Sequence, residues 1–295
     1  MKILMSGSTG LVGSALVPYL ANKSHSVTRL VRKGQSGISW NPDAGSIDTA
    51  ALEGFDAVIH LAGESIASGR WTAAKKQRIR DSRVRGTHQL AEVLTALKLP
   101  PRTLLCASAI GFYGDRGEEI LREENPAGTG FLAEVCRAWE AAAATAALKG
   151  IRVVYLRFGV ILSPAGGALA KMLVPFKLGV GGKIGPGNQY MSWIAIDDVL
   201  GAVLHALSNP VLKGPVNVVA PDPVTNLAFT KTLGRVLWRP TIVPLPAFAA
   251  RLAFGEMADE LLLASQRVEP RMLHKSGYAF RYPELEGALR HLLNR

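Results

Sequence analysis

Along the first 160 residues, short continuous apolar runs alternate with longer stretches of helical spacing. KILMSGS, HSVTRLVRK, FDAVIHLAG, RTLLCASAIG and IRVVYLRFG are rich in apolar residues through most of their length rather than alternating with polar ones. Strands buried on both faces read this way. Between them, LVGSALVPYLAN has helical spacing, and a long helical stretch covers roughly 71–98 until Pro100 and Pro101 stop it. A further helix is predicted from about 130 to Lys149, with Gly150 placed as the residue that ends it. Strand and helix in alternation predict a parallel sheet covered on both faces, and right-handed crossovers make it doubly wound.

Past residue 160 the pattern loosens. Gly and Pro cluster in SPAGGALA and GVGGKIGPGNQ, helical spacing returns near 196–208 and 225–237, and VNVVAP near 216 reads as a late strand. The end, from Pro244 to Arg295, is mostly helical. The expected fold is α/β: a Rossmann-type doubly wound sheet with a smaller, mostly helical C-terminal substrate lobe. The sheet unit is assigned 1–162 with 193–222 returning to it, and the lobe 163–192 and 223–295.

The turn after the first strand, SGSTGLVGSAL, carries Gly7, Gly10 and Gly13 and opens the first helix. A tight turn needs a residue without Cβ, a diphosphate must come close to backbone, and the helix must pack near the strand. The helix's first amides then face the anion. Dinucleotide binding is the expectation, against a plain packing turn. It places Gly7, Ser8, Thr9, Gly10, Leu11, Val12 and Gly13 at the cofactor, with Leu61, Ala62 and Gly63 after the third sheet strand and Phe158, Gly159 and Val160 on the nicotinamide side. The second strand ends in Val31, Arg32 and Lys33 where a carboxylate would bind a ribose hydroxyl. A guanidinium there suits a 2′-phosphate, so NADP is expected over NAD. The alternative is two solvated cations.

Composition adds limits. The 295 residues are 48% hydrophobic, enough for one large core, and no apolar run reaches the roughly 18–20 residues that span a bilayer. The expectation is a cytoplasmic protein with no membrane partner. Cys106 and Cys136 make neither a disulfide framework nor a metal cluster. Net charge is +11, densest in GRWTAAKKQRIRDSRVR, where Arg70, Lys75, Lys76, Arg78, Arg80, Arg83 and Arg85 face only Asp81. Most of these cations are expected on a solvated helix face. A nucleic-acid or anion surface there ranks last, because Trp71 alone does not supply the aromatics such a surface uses.

STGLVGSAL, DAVIHLAGE, SRVRGTHQLAEVL, LLCASAIGFYGD and SWIAIDDV resemble the short-chain dehydrogenase/reductase superfamily, extended type. The tail from PLPAFAARL to ELEGAL is similar to the C-terminal module of its atypical "epimerase family protein" group, so the resemblance spans nearly the whole chain. It implies hydride chemistry assisted by Asn, Ser and a Tyr-x-x-x-Lys pair. The serine matches Ser108. Arg83 holds the asparagine's place, where the atypical pattern implies contact with cofactor phosphate or ribose. The Tyr–Lys pair is missing: Leu132 and Cys136 hold its places, with Glu140 one turn on. Cys136 then reads as a small wall residue, or, from its place in the first two turns of the helix, as a thiol activated by the helix N-terminus or a nearby cation.

Tyr113, just after Ser108, is the leading substitute proton donor, with Arg83 as its helper, or else a packed aromatic. Glu64, in HLAGES, is the second. Lys183, Gln189 and Trp193 are expected to shape the substrate lobe. The expected function is NADP-dependent oxidation, reduction or epimerisation of a small hydroxyl or carbonyl compound, polar or anionic, with a nucleotide sugar as one form. The competing reading is an NADP(H)-binding redox sensor without turnover. Substrate identity and oligomeric state are not legible.

Overall fold

The computed structural model describes residues 1–32, 36–42 and 44–295. Its main sheet has eight strands: β1 (Lys2–Ser6), β2 (Ser26–Val31), β3 (Ile38–Asn41), β4 (Ser46–Ile47), β5 (Ala57–His60), β6 (Thr103–Ala109), β7 (Arg152–Phe158) and β8 (Gly214–Val218). The spatial order is β8-β7-β6-β5-β1-β2-β3-β4. Every neighbouring pair is parallel except β3 with β4. The chain walks outward from β1 to β4, then restarts at β5 on the other side of β1 and walks out to β8. The strand order therefore reverses between β1 and β5. Connections leave these two strands in opposite directions, which opens a crevice beyond their C-terminal ends.

Helices cover both faces. Ile3 and Met5 of β1 pack with α1 (Leu11–Ala21) and α5 (Ile196–Ser208), while Leu4 between them packs with α2 (Ala73–Ala96) and α3 (Phe131–Leu148). Successive strand residues point to opposite faces, so these are two layers on one sheet. A third core joins α4 (Gly167–Lys177), α6 (Asn226–Leu237) and α9 (Leu285–Leu293) around Trp193 and Phe229. Between α6 and α9 lie α7 (Ala247–Phe254), a π-type turn at Ala258–Leu263 and the short α8 (Arg271–Lys275). The α/β class and the helical C-terminal lobe are those predicted. The edge strands β3 and β4 and helix α4 were not. β3 and β4 are four and two residues long. α4 starts among glycines, at Gly167, and has Pro175 inside it, so its composition hides its spacing.

Candidate functional site

The glycine loop sits at the mouth of the β1–β5 crevice. Gly7 has φ +71°, and a Cβ there would stand 2.6 Å from the carbonyl carbon of Leu61. A Cβ at Gly13 would stand 2.2 Å from the carbonyl oxygen of Gly7. Those two glycines are demanded by the protein's own packing. Gly10 is different: nothing lies nearer to its Cβ position than the Gly7 carbonyl at 3.4 Å, and its φ is −75°. The protein leaves a bare backbone cradle there. Helix α1 opens with no side-chain cap and no acid in its first turn, so its first amides keep their donors for an anion. The cradle fits the diphosphate of a dinucleotide.

The remaining cofactor candidates surround this loop. Ser8 is buried, Thr9 is exposed, and Leu11 and Val12 are half-buried. Leu11 also touches the start of the lobe, since Cβ atoms at Gly166 and Gly167 would lie 3.2 and 3.0 Å from its methyls. Val31 is buried at the end of β2, and Arg32 beyond it is exposed. Lys33 lies outside the described residues. Leu61, Ala62 and Gly63 line the exit of β5. A Cβ at Gly63 would meet the guanidinium of Arg83 at 3.2 Å. Phe158 ends β7, Gly159 is forced by the Ser192 carbonyl, 2.5 Å from a Cβ, and Val160 continues into a strand paired with Trp193–Ala195.

Under the crevice runs a buried hydrogen-bonded chain that the sequence reading did not single out. Ser6 Oγ lies 2.6 Å from His60 Nδ1, and His60 Nε2 lies 2.9 Å from Thr87 Oγ1. Trp139 Nε1 donates to the same threonine oxygen at 2.8 Å. Burial holds His60 neutral, pushing it down to about 4. The chain ties β1, β5, α2 and α3 together below the cradle.

At the other end, a second network fixes the groups that were candidate catalysts. Ser108 is buried at the end of β6, and its hydroxyl donates to Glu140 Oε1 at 2.7 Å. Both oxygens of Glu140 accept from Arg157, each at 2.8 Å. Arg157 also donates to the hydroxyl of Tyr113 at 2.9 Å and stacks 3.5 Å from the ring centre of Phe112. Tyr113 donates onward to Asn217 at 2.8 Å and has no exposed surface. Burial pushes its phenol up to about 12, against the pull of Arg157. The expected partner of Tyr113 was Arg83; the cation that reaches it is Arg157, from β7. A role for Tyr113 as the proton donor finds no support in that position. The half-exposed residue on β6 is Ala109, next to Ser108, and it has no proton to give.

Leu132 and Cys136 form the wall above the turn after β6. A Cβ at Gly111 would meet Leu132 at 3.3 Å and Cys136 Sγ at 3.9 Å. A cation does stand near Cys136: Arg83, which donates from Nη1 to the carbonyls of Glu64 and Ile79 and lies 5.1 Å from the Trp139 ring. Burial and the nearby Glu140 carboxylate outweigh it and push the thiol up to about 12. Cys136 thus lies in the wall of the site with its thiol held in the protonated form.

Glu64 stands on the loop leaving β5, where it accepts from Lys75 Nζ at 2.6 Å, and Lys75 also donates to Ser68 at 2.8 Å. That bond to Lys75 holds the Glu64 carboxyl below the usual carboxylate range. Lys75 is buried, and sequence reasoning missed it because it sits in a run of cations. The same run forms the solvated face expected of it only in part. Arg70 donates to the Leu252 carbonyl, Lys76 pairs with Glu256 at 2.7 Å, and Arg83 is turned inward. Only Arg78, Arg80 and Arg85 stay exposed among the helical ones. Trp193 is likewise a core residue, fully buried with its ring N–H on the Asp222 carbonyl. Gln189 is buried and bonded to the Ile184 and Leu262 carbonyls, while Lys183 is half-buried on the carbonyl of Pro186. Among the described residues no group of His, Cys, Asp and Glu is arranged for a metal ion, and no helix is long and apolar enough to cross a membrane.

Known proteins share this arrangement over its full length. An epimerase family protein of Mycobacterium bovis is 44% identical over 99% of this chain and 98% of its own. The crystal structure of human epimerase family protein SDR39U1 with NADPH superposes with a TM-score of 0.92 at 34% identity, covering 100% of both chains. A nucleoside-diphosphate sugar epimerase from Corynebacterium glutamicum gives a TM-score of 0.83 at 40% identity, over 99% of this chain and 58% of that one. A domain of unknown function, DUF1731, matches residues 245–292. The family model that spans the sheet and its crevice, residues 3–220, is that of the NAD dependent epimerase/dehydratase family, and the chain belongs to that family.

Proposed function

We propose that this chain binds NADP(H) across the β1–β5 crevice and holds it without a side-chain proton donor at its reactive end. The single observation that carries the cofactor is the cradle at Gly10, bare where Gly7 and Gly13 are sterically forced. Arg32, exposed at the end of β2, selects the 2′-phosphate, and the human relative crystallised with NADPH supports the same choice. Residues 1–162 with 193–222 hold the cofactor in this reading, and 163–192 with 223–295 face the substrate side. A bound nicotinamide would supply hydride. The protein's own polar groups supply position: the Ser108 hydroxyl is committed to Glu140, the Tyr113 phenol to Asn217, and burial keeps Cys136 protonated. Hydride exchange at a carbinol carbon needs a partner for the oxygen's proton. The reading that fits is therefore retention of NADP(H) and response to its redox state.

One observation favours turnover on a small polar hydroxyl or carbonyl compound instead. The buried Lys75, in the first turn of α2, is joined to Glu64 and Ser68 on the loop beyond β5 in a proton-bearing cluster. In that reading Lys75 moves the proton at the substrate oxygen and Glu64 positions it. Incubating the protein with NADPH and a panel of carbonyl compounds and sugar nucleotides separates the two. Cofactor fluorescence that stays constant over hours supports retention. Oxidation that disappears in Lys75→Met, with NADPH still bound, overturns it in favour of the enzyme.

A further inference from the structure

One face of the lobe carries large apolar side chains that nothing in the chain covers. Leu178 at the end of α4 is 73% exposed, Trp238 at the end of α6 is 78% exposed and Ile242 is 80% exposed. They belong to one surface. Arg239 donates to the Lys177 carbonyl, Pro240 lies 3.7 Å from a Cβ at Gly179, and the Val243 carbonyl crowds Gly182. The segment then leads through Pro244 and Pro246 into α7, whose Phe248 and Leu252, one turn apart, are also exposed. Trp238 closes α6 in the left-handed region, with φ 55°.

The unpaired charge around this face is positive. No Asp or Glu occurs between Glu140 and Asp197, or between Asp222 and Glu256. Three acids beside it are matched: Glu286 to Arg235, Asp259 to Arg251, and Glu256, just past α7, to Lys76. Lys177, Lys231 and Arg239 are exposed, and Arg239 donates only to carbonyls. Exposed apolar side chains flanked by lysine and arginine, with an exposed tryptophan, match a surface that rests in the headgroup region of an anionic bilayer.

We propose that this face, from Leu178 through Trp238 and Ile242 to α7, docks on bilayers rich in anionic lipid. The expectation of no membrane partner rested on the lack of a spanning segment, and a protein that lies on a membrane needs none. The test is sedimentation of the full chain with phosphatidylcholine vesicles and with the same vesicles containing phosphatidylglycerol, with NADPH titrated in parallel. The face predicts binding to the anionic vesicles that weakens as salt rises, and little to phosphatidylcholine alone. Ile242→Asp and the pair K177E/R239E each weaken it on the order of tenfold or more, with NADPH affinity unchanged. Trp238→Ala removes the blue shift of tryptophan fluorescence on binding. Absence of binding to either vesicle overturns the proposal. So does a dimer in light scattering that Ile242→Asp dissociates, because the face is then an interface between copies. Failure of the parallel NADPH titration bears on the crevice alone.

Discussion

At the scale of single residues, the three loop glycines do different work, and substitution separates them. Gly10→Ala meets only the Gly7 carbonyl, at an ordinary contact distance of 3.4 Å, and an ordinary φ, so its stability should stay within about 1 kcal/mol of the parent. Its methyl fills the cradle, however, and NADPH affinity should fall by about tenfold or more. Gly13→Ala drives a Cβ to 2.2 Å from a carbonyl oxygen and should cost on the order of 2–4 kcal/mol. Thermal unfolding beside a fluorescence titration reads both. His60 gives a pH signature. Its folded pKa, about 4, lies below the ordinary value of 6.5, so the unfolded chain takes up the proton first as pH falls. The stability that neutral His60 contributes is complete above 6.5 and is lost progressively toward 4, by roughly 3 kcal/mol. Urea unfolding at a series of pH values should show this slope, and His60→Gln should flatten it.

At the scale of elements, the start of α3 depends on a distant carboxylate. Phe131 and Leu132 donate their amides to Glu260, at 3.0 and 3.2 Å. An acid at a helix N-terminus satisfies open donors and the dipole together. Glu260→Ala should destabilise the fold by about 1 kcal/mol, and Glu260→Gln by less, in denaturant midpoints at constant slope. The ion pair at the end of β7 is more demanding: Arg157 and Glu140 are both largely buried. Glu140→Ala leaves a buried guanidinium unmatched and should cost about 3–5 kcal/mol. The long elements were legible in the sequence because their spacing extends over many residues. Helices predicted over 71–98 and from about 130 to Lys149 appear as Ala73–Ala96 and Phe131–Leu148, and the φ of Gly150 is +83°. Two-residue strands have no such spacing.

At the scale of the whole molecule, order along the chain revealed the cradle but not the partners around it. The glycine loop is local, so eleven consecutive residues carried it. Ser108, Glu140, Arg157, Tyr113 and Asn217 are spread across the chain, and only the sheet order makes them neighbours. Glu140 could be placed from its spacing after Cys136, whereas nothing in the sequence pointed Arg157 at Tyr113. Buried Lys75 was hidden for the opposite reason: it sits in a run of cations of which Arg78, Arg80 and Arg85 do face solvent. A ligand that binds only the folded chain raises stability by about 2.7 kcal/mol at a hundredfold excess over its Kd. NADPH should therefore shift the melting temperature more than NADH does.

Parallel titration with NADPH and NADH, followed by nicotinamide fluorescence on the parent and on Arg32→Ala, tests the central claim most directly. The account predicts micromolar or tighter binding of NADPH, clearly weaker NADH, and loss of that difference in Arg32→Ala. Equal affinity for the two nucleotides in the parent, or binding of neither, would contradict it.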